Sequence, residues 1–397
     1  MKIADLHFLV VEDHDFQRTM LTRMLASLGA RHIIEAADGR AAFEVMQVLT
    51  QPVDIVICDL DMPGMDGMEF IRRISEAGVA ASVILSSAHD RALIASVETM
   101  TLAYGINLLG AIEKPATVQK LDALIKLHRA GVAAAPRAVR VSYSEAEILA
   151  ALAAGQFEPF FQPQVEVASG NLKGAEALAR WRHPEHGMVG PSAFVPALEA
   201  SGRIDELTWS MLEKSAAACR NWRAAGLDAV VSVNLSLGSL TSISLADRVT
   251  ALVRAQRLEP RHMILEVTET VAMTHMARAL ENFARLRIKG FGLAIDDYGT
   301  GYSSMQQLLH VPFTELKIDQ SFVRSAVQKD ACRAILESSL DMARRLGLRA
   351  VAEGVETRAV WDLLKRLKCD VAQGNFVGKP MAAEQIPEWA AEWAPPE

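Results

Sequence analysis

Acidic, amide and basic side chains recur at the ends of short apolar runs along this chain of 397 residues. The set comprises Glu176, Asn234, Glu266, Asp296, Asp297, Lys317, Glu353 and Gln373. Taken singly, each could be an ordinary surface residue. If the runs are strands whose carboxyl ends meet, five carboxylates lie together there and repel one another unless cations join them. Oxygen ligands of this kind suit Mg²⁺ or Mn²⁺, so the pattern predicts a divalent metal site.

The apolar runs alternate with helical patterns over about 250 residues, which is typical of a TIM-like (β/α)8 barrel. Strands are predicted at 158–165, 172–181, 230–235, 263–267, 291–295, 315–318, 349–352 and 370–372. The turn Ser169-Gly170-Asn171 joins the first two strands closely, so the first strand is expected to be antiparallel to its neighbour. Chemistry in such a barrel takes place at the carboxyl ends of the strands, where the polar set lies.

A second α/β pattern occupies the N-terminal part of the chain. Strands predicted at 7–11, 33–36, 53–58 and 82–85 alternate with helices, which indicates a doubly wound parallel sheet. Polar residues again end these strands: they are Glu12, Asp13, Asp59 and Ser86. The three carboxylates could hold one Mg²⁺, and Asp59 could then attack a phosphoryl donor. Ser86 and Lys114 could contact the new phosphoryl group.

These two patterns divide the chain into a first domain at 1–128, a linker at 129–145 and a second domain at 146–397. The segment 130–136 consists of small residues and ends at Pro136, which interrupts a helix. Ser144 and Glu147 have the spacing of a capping box, so a helix is expected to begin there. Alanine favours helix, so we do not expect a freely flexible tether.

Composition excludes several other classes of protein. The net charge of −7 argues against a non-specific DNA-binding protein. Four cysteines without CxxC spacing predict neither a zinc site nor a disulfide framework. No apolar run approaches the roughly 18 residues of a membrane helix. An acidic residue, Asp5, lies too close to the start for a signal peptide. We therefore expect a cytoplasmic chain with reduced thiols and neither DNA nor membrane as a partner.

The first domain resembles a response-regulator receiver. The resemblance rests on Glu12-Asp13, the run Asp59–Gly67, Ser86 and Lys114-Pro115. It implies phosphorylation of Asp59 by a sensor histidine kinase or phosphotransfer protein, with one Mg²⁺ at Glu12, Asp13 and Asp59, and Ser86 and Lys114 as the switch. Ala111 stands where receivers usually have an aromatic residue. The switch that couples a hydroxyl group to an aromatic ring in receivers is therefore in doubt here. The long stretch from Ser86 to Lys114 could form a partner surface or simply extend the core.

The second domain resembles the EAL family of cyclic di-GMP phosphodiesterases. The matching motifs are Phe161-Gln162-Pro163, Glu176–Trp181, Val233–Ser236, Glu266–Glu269, Asp296–Ser304, Lys317-Ile318-Asp319, Glu353–Glu356 and Gln373-Gly374. The resemblance implies hydrolysis of cyclic di-GMP to linear pGpG with two Mg²⁺ or Mn²⁺ ions. It also implies a homo-oligomer, either a dimer or a tetramer.

The resemblance assigns roles residue by residue. Glu176, Asn234, Glu266 and Asp296 would hold the first ion, and Asp296, Asp297 and Glu356 the second. Glu353 would be the general base, and Lys317 would stabilise the attacking water or the developing charge. Substrate would be bound by Gln162, Leu178, Arg180, Asp319 and Gln373, with Arg180 on a phosphate and Gln162 and Leu178 at guanine. Glu269 would support the loop that follows Asp297.

Two other functions compete with an active phosphodiesterase. A degenerate domain could bind cyclic di-GMP without cleaving it, but such domains usually lose metal ligands or the general base, and all are present here. A phosphorylation-dependent interaction protein, with the barrel as scaffold, is the other alternative. The direction of control by Asp59 stays open from the sequence, and activation is our hypothesis.

Overall fold

A computed structural model describes residues 2–49, 51–78, 81–87, 94, 97, 100–101, 104–134, 143–268, 276–299, 308 and 310–396. The chain forms two compact units, Met1–Val141 and Ser142–Glu397. No helix among the described residues is long and apolar enough to cross a membrane.

The first unit is a five-stranded parallel sheet with strand order β2-β1-β3-β4-β5. Its strands are β1 His7–Val11, β2 His32–Ala36, β3 Ile55–Asp59, β4 Ser82–Ser87 and β5 Asn107–Glu113. Its helices are α1 Asp15–Ser27, α2 Gly39–Val48, α3 Gly67–Glu76 and α4 Val118–Ala134. The central strand β3 is buried throughout, as expected for a parallel sheet covered on both faces. Asp38 and Asp66 cap α2 and α3 by accepting backbone N–H groups.

The second unit is a closed eight-stranded barrel with one extra strand. Its strands are β6 Phe157–Glu166, β7 Leu172–His183, β8 Gly187–Val189, β9 Val230–Asn234, β10 Met263–Thr268, β11 Gly292–Tyr298, β12 Glu315–Ile318, β13 Arg349–Ala352 and β14 Val371–Gln373. Its helices are α5 Glu145–Ala153, α6 Val195–Ala200, α7 Ile204–Ala224, α8 Leu237–Thr241, α9 Leu245–Ala255, α10 Met276–Lys289, α11 Gln320–Ser325, α12 Asp330–Leu346, α13 Arg358–Leu367 and α14 Ile386–Glu392.

Strand β6 closes the barrel and is antiparallel to both of its neighbours, β7 and β14. The other barrel strands pair in parallel. The predicted fold, a parallel-sheet domain followed by a (β/α)8 barrel with an antiparallel first strand, is therefore confirmed. The short strand β8, which adds to β7 outside the barrel, was not predicted.

Two features differ in detail from the sequence analysis. Helix α4 continues to Ala134, through the first residues of the predicted linker. Ser144 caps α5 by accepting from the Glu147 backbone N–H at 3.2 Å, as predicted. The other half of the predicted capping box is wrong, because the Glu147 carboxylate lies 3.0 Å from His183 Nε2 instead. The domain limits 1–128, 129–145 and 146–397 stay a prediction.

Candidate active site

Strand register brings the polar residues of the second unit to one end of the barrel. Glu266 on β10 pairs with Asn234 on β9, and Asp296 on β11 pairs with Thr268, close to the end of β10. Glu176 lies on β7 and Lys317 on β12, while Glu353 directly follows β13. Parallel strands end at the same edge, so side chains that are far apart in sequence point into one volume.

The Lys317 ammonium group lies at the centre of four carboxylates. Its Nζ is 3.1 Å from Glu176 Oε2, 2.7 Å from Glu266 Oε2, 2.9 Å from Asp296 Oδ1 and 2.8 Å from Glu353 Oε1. Lys317 is 1% exposed, so water screens these interactions little. The lysine is therefore a fixed internal counter-ion for the cluster.

The cluster carries more negative charge than the lysine can neutralise. Oxygen atoms of Glu176, Glu266 and Asp296 lie within 4.8 Å of one another, and so do those of Asp296, Asp297 and Glu353. Glu266 Oε1 is buried and has no hydrogen-bond partner among the described residues. A buried carboxylate oxygen without a donor fits a cation ligand, and an all-oxygen donor set fits Mg²⁺ or Mn²⁺.

Burial and mutual repulsion shift the pKa values of these groups. Burial, together with repulsion from Asp296 and Glu176, raises the pKa of Glu353 to about 8 although Lys317 opposes the shift. Burial likewise raises the pKa of Glu266 well above its usual value. Burial would lower the pKa of Lys317, but the surrounding carboxylates raise it well above normal. The raised pKa values of Glu266 and Glu353 favour their protonated forms in the metal-free site, so a cation that binds there competes with protons.

Asp297 reaches the cluster through an unusual backbone conformation. Its φ is +54°, in the left-handed region that Asp tolerates better than most residues. The turn places its carboxylate beside those of Asp296 and Glu353. Burial and the Asp296 charge raise the pKa of Asp297 to about 6. Residues 300–307 of the following loop, and Glu269, predicted to support it, lie outside the described residues.

A chain of glutamine amides orients Glu176 from the side of β6. Gln373 Nε2 donates to Glu176 Oε2 at 2.7 Å and to Gln162 Oε1 at 3.1 Å. Gln164 Nε2 donates to Gln373 Oε1 at 2.8 Å, so the amide nitrogen of Gln373 is the group that faces Glu176. Gln164 was not predicted as a site residue. Its signal was the spacing of Gln162 and Gln164, which places both side chains on one face of β6.

A cleft of about 440 Å³ opens above the carboxylates. Predicted site residues that line it are Gln162, Glu176, Leu178, Arg180, Asp296, Asp297, Glu353 and Gln373. The cleft is also lined by Gln320, Arg324, Asn375 and Pro380, which were not predicted, and by Gly354 and Gly374, which belong to the quoted motifs but were given no role in the site. The Arg180 guanidinium donates one hydrogen bond to the Ala179 carbonyl at 2.9 Å and makes no ion pair with any residue that the structure describes, so its other N–H groups are available to an anionic ligand.

Three predicted residues have surroundings that differ from the buried carboxylate cluster. Asn234 is exposed, and its Nδ2 donates to Glu176 Oε1 at 3.2 Å. Asp319 caps α11 by accepting the Ser321 N–H at 2.9 Å, and it does not line the cleft. Glu356 is exposed and lies 2.8 Å from Arg324, outside both carboxylate groups. The structure therefore does not bring Asp319 to the substrate cleft or Glu356 to the metal ligands.

The first unit contains a smaller acidic site of the predicted composition. Oxygen atoms of Glu12, Asp13 and Asp59 lie within 4.8 Å of one another. Lys114 Nζ lies 2.6 Å from Asp59 Oδ2 and 3.0 Å from Glu12 Oε2. Ser86 is paired with Asp59 across β3 and β4. Burial raises the pKa of Glu12, and a cation that is bound there would oppose that shift.

Comparison with known proteins decides the family. Residues 145–380 match the EAL domain, and residues 8–126 match the response regulator receiver domain. The chain belongs to the EAL family. Its predicted arrangement, a receiver followed by an EAL domain, is thereby confirmed. This chain is 36% identical over 389 residues to RocR of Pseudomonas aeruginosa, which is named a cyclic di-GMP phosphodiesterase. That match covers 98% of this chain and 99% of RocR.

Other proteins match shorter parts of this chain. MucR of P. aeruginosa, a bifunctional diguanylate cyclase and cyclic di-GMP phosphodiesterase, is 40% identical over 57% of this chain and 33% of its own length. The structure of the PaMucR phosphodiesterase in complex with cyclic di-GMP is similar with a TM-score of 0.58 and 39% identity. That likeness covers 61% of this chain and 98% of the other. The EAL enzyme Bd1971, bound to cAMP and cyclic di-GMP, gives a TM-score of 0.60 at 26% identity over 69% of this chain and 75% of Bd1971.

Proposed function

We propose that this chain is a phosphodiesterase that hydrolyses cyclic di-GMP to linear pGpG and is controlled by phosphorylation of Asp59. The observation that carries the proposal is the complete acidic cluster around Lys317, which lies at the floor of a cleft large enough for part of a dinucleotide. The likeness to RocR over nearly the whole chain supports the same activity.

Glu176, Asn234, Glu266, Asp296 and Asp297 would hold two Mg²⁺ or Mn²⁺ ions. Bound there, the ions would supply Lewis-acid stabilisation of the charge on the reacting phosphodiester. The buried oxygen of Glu266 and the repulsion among the carboxylates support this assignment. A part for Glu356 in the second ion site, as the resemblance implies, finds no support in its ion pair with Arg324.

Glu353 is the proposed general base. In the hydrolysis, a water oxygen forms a bond to phosphorus while the P–O3′ bond breaks. Glu353 takes a proton from the attacking water, the departing 3′ oxygen gains a proton from solvent water, and Glu353 then releases its proton to solvent, so the product carries a 5′ phosphate and a free 3′ hydroxyl. The pKa of about 8 in the metal-free site is high enough for proton uptake, and nearby cations would lower it toward neutrality.

Lys317 is the proposed charge-stabilising residue. Its ammonium group stays protonated because the carboxylates raise its pKa. It lies 2.8 Å from Glu353 Oε1, so it can fix the orientation of the base and offset negative charge that develops nearby. Its role is therefore electrostatic and positional, since a permanently charged group cannot accept the proton.

The cleft wall supplies the proposed substrate contacts. Arg180 is half-buried and would bind a phosphate, while Gln162 and Leu178 would face a guanine base. Gln162 is fixed on both sides, since its Nε2 donates to Gly378 O at 3.1 Å and its Oε1 accepts from Gln373. A fixed amide in the same cleft as the apolar Leu178 side chain is suited to select a base by its edge.

The first unit is the proposed control element. The Asp59 carboxylate lies against Lys114 at 2.6 Å, and a phosphoryl group added there would change the charge that this lysine faces. The donor would be a sensor histidine kinase or a phosphotransfer protein, and our hypothesis is that phosphorylation activates. We also expect a homo-oligomer, either a dimer or a tetramer.

Turnover of cyclic di-GMP by the purified chain in Mg²⁺ or Mn²⁺, beside Glu353→Ala, tests the proposal. We expect pGpG from the parent and a loss of at least a hundred-fold in the variant, since base catalysis contributes about that much. The variant should still bind cyclic di-GMP. Binding without turnover by the parent would overturn the enzyme assignment in favour of a receptor.

A further inference from the structure

Arg324 is a cationic residue of the cleft that the sequence analysis did not find. It lines the same cleft as Glu353 and Arg180, and it is carried by α11. The helix is held in place at both ends: Asp319 caps its start, and Val323 and Ala326 are buried. A short helix that is anchored in this way presents Arg324 to the cleft in a defined position.

Gly354 brings Arg324 close to the general base. A Cβ atom at residue 354 would lie 3.0 Å from Arg324 Nε and 2.4 Å from Gln320 Cβ, so only glycine lets α11 approach the loop this closely. The backbone there is also left-handed, with φ of +65°. Because Gly354 follows Glu353 directly, Arg324 lies against the backbone segment that carries the base, and both side chains line the cleft.

Glu356 holds the guanidinium group from the other side. Its Oε1 lies 2.8 Å from an Arg324 terminal nitrogen, and the two side chains are 41% and 44% exposed. An ion pair this exposed contributes only about 0–1 kcal/mol to stability. Its consequence for the site is geometric: it restricts a long side chain to the rim of the cleft.

We propose that Arg324, positioned by Glu356, binds the phosphodiester of the cyclic dinucleotide that is not cleaved. The inference rests on the proposed function, because a cyclic dinucleotide has two phosphodiesters and only one can lie at the carboxylate cluster. Four carboxylates line the cleft, and Arg180 and Arg324 are its cationic lining residues. They lie on separate elements, β7 and α11, so the second phosphodiester has a cation available at the rim.

The test compares two substrates. Bis(p-nitrophenyl) phosphate has one phosphodiester and no second phosphate, whereas cyclic di-GMP has both. We expect Arg324→Ala to raise the KM for cyclic di-GMP by about ten- to hundred-fold, the usual effect of losing a charge-assisted contact. Its kcat/KM for bis(p-nitrophenyl) phosphate should stay within about two-fold of the parent. Arg324→Lys should recover part of the loss, because an ammonium group still binds a phosphate as a point charge.

Arg333→Ala is the matched control. Arg333 forms an ion pair with Glu337 at 2.9 Å, with 48% and 45% exposure, and lies outside the cleft lining. Arg333→Ala should leave the kinetic constants for both substrates unchanged. An equal loss of kcat/KM for both substrates in Arg324→Ala, or an unchanged KM for cyclic di-GMP, would overturn the proposal. So would failure of Arg324→Lys to recover any activity, which would indicate recognition of a base edge. A parent without cyclic di-GMP turnover would instead refute the proposed function itself.

Glu356→Gln separates a positioning residue from a metal ligand. If Glu356 is a positioning residue, Glu356→Gln should raise the KM for cyclic di-GMP by less than Arg324→Ala does. The double variant should then have the same KM as Arg324→Ala alone. The Mg²⁺ concentration for half-maximal activity should not change. A higher Mg²⁺ requirement in Glu356→Gln would overturn the positioning role and return Glu356 to the second metal site.

Discussion

Replacement of Lys317 by methionine should destabilise the metal-free barrel severely. Lys317 Nζ contacts four carboxylates at 2.7 to 3.1 Å and is 1% exposed. Removal of one partner from a buried ionic network usually costs about 3–5 kcal/mol. We expect a loss in that range at pH 8 in EDTA. Mg²⁺ should restore more stability to the variant than to the parent, since the variant has lost the ammonium group that balances the carboxylates in the parent.

Urea unfolding monitored by tryptophan fluorescence isolates the relevant unit, because all six tryptophans follow residue 180. Lys173→Met is the control: Lys173 forms a partly exposed ion pair with Glu166 at 3.1 Å and should cost about 0–1 kcal/mol. A loss below about 1 kcal/mol for Lys317→Met in EDTA, or equal Mg²⁺ stabilisation of variant and parent, would refute the charge balance described above.

The pH dependence of this loss has a definite sign. In the variant, Glu266 and Glu353 lack the Lys317 cation, so their folded-state pKa values, which burial already raises, rise further above the unfolded values. A group whose folded-state pKa is raised contributes stability that is present at low pH and lost as pH rises through the folded pKa. Already in the parent, Glu353 has a folded pKa of about 8 against an ordinary 4.5. The loss in free energy of unfolding caused by Lys317→Met should therefore become smaller as the pH falls from 8 toward 5.

Three further predictions concern other parts of the molecule. Gln164→Leu should lower kcat/KM by about ten-fold and cost about 1–3 kcal/mol in urea unfolding, because Gln373 Oε1 loses its buried donor and the amide can then rotate away from Glu176; unchanged kinetics would show that the amide chain does not orient the site. Ellman's reagent should modify one thiol rapidly in the native chain and none rapidly in Cys332→Ser, because the other three cysteines are buried. Burial also raises the pKa of Cys219 to about 11 and that of Cys369 to about 12. Rapid modification of a second thiol would contradict the described core. Acetyl phosphate should give a phosphoprotein band on a phosphate-affinity gel and faster cyclic di-GMP turnover in the parent but neither in Asp59→Asn; phosphorylation without a change in turnover would refute control by this residue.

The sequence predicted most of the fold because its signals were local. Short apolar runs such as 315–318 and 349–352 coincide with the observed strands β12 and β13. The alternation of strands and helices then indicated a barrel, and the barrel rule placed the polar residues at one end. The antiparallel first strand followed from the tight turn after Glu166, since a few residues can join only antiparallel neighbours.

Features that depend on long-range contacts could not be predicted from the sequence. Gln164 contacts Gln373 only because β6 and β14 close the barrel, and they lie at opposite ends of the domain sequence. Glu147 had the spacing of a capping residue, but His183 offered its carboxylate a competing partner. Glu356 is the last residue of the motif Glu353–Glu356, yet its carboxylate pairs with the exposed Arg324 and not with the cluster. In each case a tertiary partner, which no local pattern specifies, decides where the side chain lies.

The most direct test of the central claim is product analysis during cyclic di-GMP turnover in H₂¹⁸O by the full chain with Mg²⁺. We expect a single product, pGpG, with one ¹⁸O atom in its 5′ phosphate and none in the ribose hydroxyls, and no product in EDTA. Bound but unconverted cyclic di-GMP, or ¹⁸O in the 3′ hydroxyl, would contradict water attack on phosphorus at the Glu353 site.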